Sequence, residues 1–450
     1  MAFNRRLFFW IIKEYIKRSG KIILIFFVFG IFFFFVIKTF FFSYLSKMSF
    51  SDNEKIGLIG SYTLDNLPNQ ILDKISNGLT KIGNDGKPLP DLAKNWEIKD
   101  NGKTYIFYLK ENINFSDGFK FTSSDINYSF SKVKKITPNK NTIIFELDQP
   151  YTPFLNTVSK PIFKQDFLGT GAYKVTNVNF NGEFITSISL KENSNHLHNI
   201  TYYFYPTSEA LKIAFMLGEI NKAENLPNLS FKNTDLKNYP NLITSESTNY
   251  SILVTAFYNN SDSYLSDKRV RDALAYALPN SFTFGERAHS PFPPTSWAYI
   301  EDTFHTYDLE HSKLLLKEVL NGSKKQLPTF TVYYFHDLKN TAEILKSAWK
   351  KIGINVNLVE TYSVPVNYQI FLGYFNVPSD PDQYTLWHSD QPTNITNYKN
   401  LRIDQLLEDG RRTLDIQKRL KIYADFQKYL LDDQPASFLY FPYEYKIVRK

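Results

Sequence analysis

Cysteine is absent from all 450 residues. That removes disulfides, thiolate catalysis and thiolate metal sites, and leaves the redox compartment unassigned. The chain also lacks a glycine-x-serine-x-glycine elbow, a histidine-glutamate-x-x-histidine helix and a phosphate-binding glycine loop. Acids and serines are plentiful, but carboxylates at turns are common and do not define a hydrolase. Excess charge is missing too, once it is located. Residues 1–50 hold eight Lys or Arg against the single acid Glu14, a net of +7. Of 52 basic and 45 acidic residues, 44 of each therefore remain, and residues 51–450 are neutral. A nucleic-acid binder carries its positive field on the globular part, so no nucleic-acid partner is expected.

Long apolar runs are missing after residue 50, which predicts a soluble body, but one precedes it. Residues 22–37, "IILIFFVFGIFFFFVI", are sixteen uncharged positions, about 24 Å of helix. Continuing to Phe42 gives about 31 Å, enough for a hydrocarbon core of ~30 Å. Lys38 lies near the outer end, where its ammonium can reach the headgroups. The bases before the run favour a cytoplasmic N-terminus and an extracytoplasmic remainder. Ahead of it, "LFFWIIKEYIKR" mixes bulky apolar and basic residues as an interfacial helix does. The alternative is a cleaved secretion signal, but the run is long for one and no small-x-small site precedes Ser51. A lipoprotein signal would need the missing cysteine. Residues 1–50 are expected to be a cytoplasmic basic segment and an uncleaved single-pass anchor in the cell membrane, meeting the bilayer through residues 22–42.

The body after residue 50 mixes strands and helices. "NWEIKDNGKTYIFYLKENINFSDG" reads as strand, turn, strand, turn, with Asp100, Asn101 and Gly102 able to supply positive φ. "FTSSDINYSFSKV" predicts a short helix capped near Thr122, and "NTIIFELDQP" a strand ended by Pro150. In "LSDKRVRDALAYALP", Val270, Ala273, Leu274, Ala277 and Leu278 share one helix face, Ser266 can cap the start and Pro279 stops it. Residues 328–360 make a strand "PTFTVYYF", a helix "NTAEILKSAWKKIG" and a strand "INVNLV". Asn340 with Glu343 resembles a capping box, and Gly353 suits a left-handed helix end. Such short joints imply a right-handed crossover and a parallel pair. Helices continue through "IDQLLEDGRRTLDIQKRLKIYADFQKYLL". No internal repeat or low-complexity tract is present after residue 50.

At these residues the chain resembles the extracellular solute-binding proteins of ABC transporters, in the oligopeptide, dipeptide and nickel-binding family (family 5). Seven segments match in the family's order: "GKPLPDLAKNWEIKDNGKTYIFYLKENINFSDGFKFTSSDINYSF", "LGTGAYKV", "SDKRVRDALAYAL", "YDLEHSKLLLKEV", "WKKIGINVNLV", "SDPDQYTLWHS" and "YKNLRIDQLLEDGRR". The resemblance implies an α/β, two-lobed, periplasmic-binding-protein-like clamp with a discontinuous first lobe, preceded by one transmembrane helix. Lobe I would comprise 51–255 plus 435–450, with a hairpin-rich subdomain over about 80–165. Lobe II would run from 256 to 434, with crossings near Phe257 and Pro435. The implied partners are ABC permease subunits and a peptide or peptide-like ligand. No catalytic residue, metal or cofactor is implied. A ligand-free scaffold or sensor with the same fold is the main alternative, and a cell-wall-directed hydrolase the more distant one.

The stretch "LGYFNVPSDPDQYTLWHSDQP" holds the chemistry. By resemblance, Gly373, Tyr374 and Phe375 form the cleft strand that bonds an extended peptide main chain. Trp387 and His388 line the pocket, and Ser61, Tyr62 and Thr63, after Gly60, face them from lobe I. Tyr374 stands where the family has tryptophan. Val377 stands where peptide binders carry an amine-pairing aspartate, and a buried ammonium without a counter-charge costs several kcal/mol. Either Asp380 or Asp382 substitutes, or the ligand lacks a free amine, as glycopeptides, blocked or cyclic peptides and sugars do. Each residue also has a structural reading. Asp380-Pro381-Asp382 is a natural turn, Trp387 can be core, and His388 lacks a nearby second metal ligand. His196 and His198 share a strand face and read as surface histidines. Gly169 and Gly171 read as backbone geometry.

Overall fold

The last strand of the chain organises the molecule. Ala436–Arg449 runs for 14 residues, and its sequence, "ASFLYFPYEYKIVR", is the aromatic and β-branched composition that a sheet interior favours. Its first half pairs with Ile252–Tyr258 and Gly285–Arg287, and its second half with Lys222–Leu226 and Leu242–Thr248. Partners change at Pro442, which has no N–H to offer a continuous ladder. The structure is a computed structural model and describes residues 52–194, 198–301, 306–323 and 329–450, with scattered positions among the first 34. The expected anchor over 22–42 (but for a few positions) and His196 lie outside the described residues. Among the described residues no helix is long and apolar enough to cross a membrane.

On the lobe I side, Asp52–Ile59 lies parallel to His198–Tyr205 and to Lys222–Leu226. Antiparallel Phe184–Glu192 and Tyr173–Asn181 extend the sheet. Ile56, Leu58, Ile188 and Ile200 bury one face with helix Asn69–Ile75. Leu211, Phe215, Ala223 and Ile447 bury the other, with helix Ser208–Leu217. A separate four-stranded sheet, Ala93–Lys99, Thr104–Leu109, Thr142–Leu147 and Val133–Asn139, forms the hairpin subdomain. Its core reaches from Leu79 to Ile162. Asp100, Asn101 and Gly102 take the predicted positive φ at the first hairpin. At Gly169 a Cβ would sit 2.2 Å from the Ile75 carbonyl oxygen, so close backbone approach explains that glycine.

On the lobe II side, Asn355–Thr361, Thr329–Phe335 and Ile370–Asn376 run parallel, and Ile252–Tyr258 joins them antiparallel. Helices Lys268–Tyr276, Leu309–Ser323 and Lys339–Lys350 cover one face, and Leu401–Arg412 with Ile416–Asp433 cover the other. The parallel pair and the Gly353 turn (φ +85°) stand as predicted, and Val270, Ala273, Leu274, Ala277 and Leu278 are all buried.

Local details differ from expectation. Asp267, not Ser266, caps Lys268–Tyr276, accepting the Arg269 N–H at 3.0 Å. Lys339–Lys350 grows straight out of the 3-10 turn His336–Leu338, so Asn340 is already inside the helix and no side-chain cap forms. The helix after Thr122 shrinks to the 3-10 turn Ser123–Asp125, because Asp125 reaches back to the Thr122 N–H and hydroxyl, both at 2.8 Å. All seven residues of Ile252–Tyr258 pair with Ile370–Asn376, and strand partners change across residues 249–251 and at Pro442. Asn249 ties them, its N–H donating to Pro442 O at 2.9 Å and its Nδ2 to Glu444 Oε1 at 2.6 Å.

Within lobe II, burial, with Arg287 beside it, pushes the His289 pKa down to about 4. The unfolded chain protonates His289 near the ordinary value of ~6.5, before the fold does. Stability contributed by the neutral ring is complete above that value and is lost as pH falls towards 4. His289→Gln should flatten the decline in melting temperature between pH 6.5 and 4; an unchanged slope would assign the decline to other groups.

Candidate binding cleft

The strand Ile370–Asn376 outruns one of its neighbours. It is paired with Ile252–Tyr258 along its whole length, but its pairing with Thr329–Phe335 ends at Leu372. Tyr374 and Asn376 therefore extend beyond Phe335, at the carboxyl ends of the parallel strands, where open α/β sheets place their ligands. Burial alternates along this end: Gly373 and Phe375 are buried, and Tyr374 is 37% exposed. The Tyr374 ring stacks on Phe335 with centroids 6.0 Å apart, and its hydroxyl donates to Asp337 Oδ2. Burial first, then that hydrogen bond, raises the phenol above its ordinary pKa, so it remains a donor at neutral pH.

From lobe I, the chain leaves Asp52–Ile59 through Gly60 at φ +138°. Ser61 is exposed. Thr63 caps the turn Leu64–Asn66, with its N–H on Asn66 Oδ1 at 2.6 Å. Tyr62 folds back: its hydroxyl donates to Ile59 O at 2.9 Å, and its ring meets Phe204 edge-on at 4.9 Å. The structure thus leaves Ser61 and Thr63 with surface to offer, while much of Tyr62 packs in lobe I.

Trp387 and His388 are not surface residues. Trp387 is 0% exposed, with Nε1 donating to Gln383 Oε1 at 2.9 Å and its ring edge-on to Phe438. The helical turn Tyr384–Trp387 aims it at the core between Ile370–Asn376 and the helices of that face. His388 is 5% exposed and stacks on Tyr384 at 4.2 Å. Its Nδ1 accepts the Asp390 N–H at 3.2 Å, and its Nε2 lies 3.5 Å from Glu408. The expected pocket wall is therefore core at Trp387 and a buried polar cluster at His388. His198 pairs with Tyr173 through Nδ1 at 2.9 Å, away from this site. Among the described residues no group of three or more His, Asp or Glu is placed to hold a metal.

The two acids of the turn are engaged by arginines that the local sequence did not suggest. Asp380 receives a two-pronged bond from Arg419, at 2.8 and 2.5 Å, with both residues under 10% exposed. Asp382 accepts from Arg411 Nε at 2.8 Å, although burial still pushes the Asp382 carboxyl above its ordinary pKa. Neither is available to a ligand amine. Val377 is held on the opposite side, its N–H donating to Ser251 O at 2.9 Å.

This turn instead meets the hairpin subdomain. Asn156 Nδ2 donates to Gly86 O at 3.1 Å and to Ser379 Oγ at 3.3 Å. Gly86 (φ +80°) lies so close that a Cβ would stand 2.5 Å from Ser379 O. Arg411 sits 5.1 Å from the Tyr151 ring and 4.0 Å from Tyr384. Thr152 donates its N–H to Arg411 O at 2.7 Å and its hydroxyl to Thr413 O at 3.0 Å. A cavity of about 210 Å³ lies beside these contacts, lined by Tyr151, Tyr384, Glu408 and Arg411 among others.

Two α/β halves joined by a shared strand, with a cleft strand whose end is free along one edge, give the two-lobed architecture of periplasmic binding proteins. Comparison with known proteins supplies the family. The profile of bacterial extracellular solute-binding proteins, family 5 (middle), matches residues 87–397, and the chain belongs to that family. It is similar to the oligopeptide-binding protein AppA of Bacillus subtilis, at 24% identity over 85% of this chain and 83% of that one. Among solved structures it resembles NikZ from Campylobacter jejuni in complex with Ni(L-His), with TM-score 0.74, 21% identity, and 89% and 94% of the two chains covered. The substrate-binding protein CtaP from Listeria monocytogenes superposes with TM-score 0.75 at 23% identity, covering 88% and 94%. AppA and CtaP are binding proteins by name.

Proposed function

We propose that the protein is the membrane-anchored substrate-binding component of an ABC importer, closing its lobes on peptides or peptide-like solutes and delivering them to permease subunits. The observation that carries this reading is the strand end at residues 374–376, which runs past Phe335 with Tyr374 beside it. An extended peptide laid along that edge continues the lobe II sheet. Its main chain is then what is recognised, and its side chains are loosely specified. Ser61 and Thr63 close over it from lobe I. Closure is a shift between populations, driven only by contacts that are better in the closed state. AppA, an oligopeptide-binding protein by name, points the same way. Anchorage through residues 22–42, with the body extracytoplasmic, would keep the clamp beside its permease.

Native mass spectrometry of the purified full-length protein tests the reading. A released species of peptide mass, replaced by added peptide, is expected. A protein that stays empty against every peptide supports a scaffold or sensor, and a covalent adduct formed during turnover supports an enzyme. Either result overturns import.

A further inference from the structure

The acids closest in sequence to the cleft strand, Asp380 and Asp382, are tied to Arg419 and Arg411. Another carboxylate stands at the strand end itself. Asp337 lies in the turn His336–Leu338, directly after Thr329–Phe335, and is exposed. One of its oxygens takes the Tyr374 hydroxyl, and among the described residues no Lys or Arg pairs with it. Phe335 and Tyr374 present their stacked rings beside it. The other charges near this turn are Lys339, two residues on, and the His336–Glu360 pair at 2.9 Å, whose acid also accepts from Tyr362 at 3.2 Å.

We propose that Asp337 is the ligand-facing carboxylate of the cleft, selecting solutes that carry an ammonium or guanidinium group next to the main chain lying on residues 374–376. In the open protein water solvates this carboxylate. Closing the lobes removes that water, and a buried carboxylate without a cation is strongly disfavoured. A cationic group supplies the missing charge and gains further from the faces of Tyr374 and Phe335. A neutral solute leaves Asp337 unpaired, and an anionic one is repelled. The Tyr374 hydroxyl fixes the carboxylate's orientation. The assignment rests on the binding reading above and adds the charge of the ligand to it.

Calorimetry on the full-length protein tests it with three tetra-alanine peptides: amine-free and amidated (neutral), free amine and amidated (cationic), acetylated with a free carboxylate (anionic). Agmatine, a cation with no peptide bond, is the fourth probe. The cationic peptide should bind about ten-fold more tightly than the neutral one, with the margin shrinking at high salt. Asp337→Asn should erase the margin, lowering the cationic peptide's affinity and raising the neutral one's, with the apo melting temperature unchanged. A margin that survives Asp337→Asn, or neutral and anionic peptides binding as tightly as the cationic one, overturns the assignment while peptide binding stands. If only agmatine binds, and does so through Asp337, the charge assignment stands and the peptide reading falls. If no probe binds, both fall.

Discussion

Trp387→Ala should unfold the empty protein far more readily than the parent, by about 3–5 kcal/mol in a denaturant titration. The indole is 0% exposed, fills the space between the cleft strand's Phe371 and Phe375 and the helices Leu401–Arg412 and Ile416–Asp433, and satisfies its N–H through Gln383. Alanine leaves a cavity and an unpartnered glutamine oxygen. Tyr374→Ala is the instructive contrast. That ring is partly exposed, so its removal should weaken binding while moving the apo melting temperature little. Equal destabilisation by the two variants would put Tyr374 in the core as well and remove the ring from the cleft.

Arg419→Met is the second large effect. It strands the Asp380 carboxylate at 7% exposure, with its two-pronged partner gone, and breaking a buried pair in this way costs about 3–5 kcal/mol. Adding Asp380→Asn should recover most of that loss, because the remaining group is then neutral. The double variant should also keep its ligand affinity, since Asp380 faces Arg419 and not the cleft. Loss of affinity with full stability would instead make Asp380 a ligand contact.

The elements were most legible where periodicity was long and the joints short. Thr329–Phe335, the helix after it and Asn355–Thr361 could be read from alternating apolar residues and from Gly353. Caps were less legible, because Ser266 and Asp267 both offer a side-chain oxygen and only geometry chooses between them. The proposed site was partly legible: the family motif suggested residues 373–375, and only exposure separates Tyr374 from its neighbours and sets Trp387 in the core. Arg419 lies 39 positions from Asp380, so no local pattern could announce their bond. Asp337 could have been suspected as an acid just beyond a predicted parallel strand.

The strand Ala436–Arg449 has a consequence for cooperativity. Residues 222–226, 242–248, 252–258 and 285–287 all pair with this one strand. Neither half completes its hydrogen bonding without it, so the two halves gain and lose their edges together. Detaching it would bare unpaired strand edges on both sides at once and open them to aggregation.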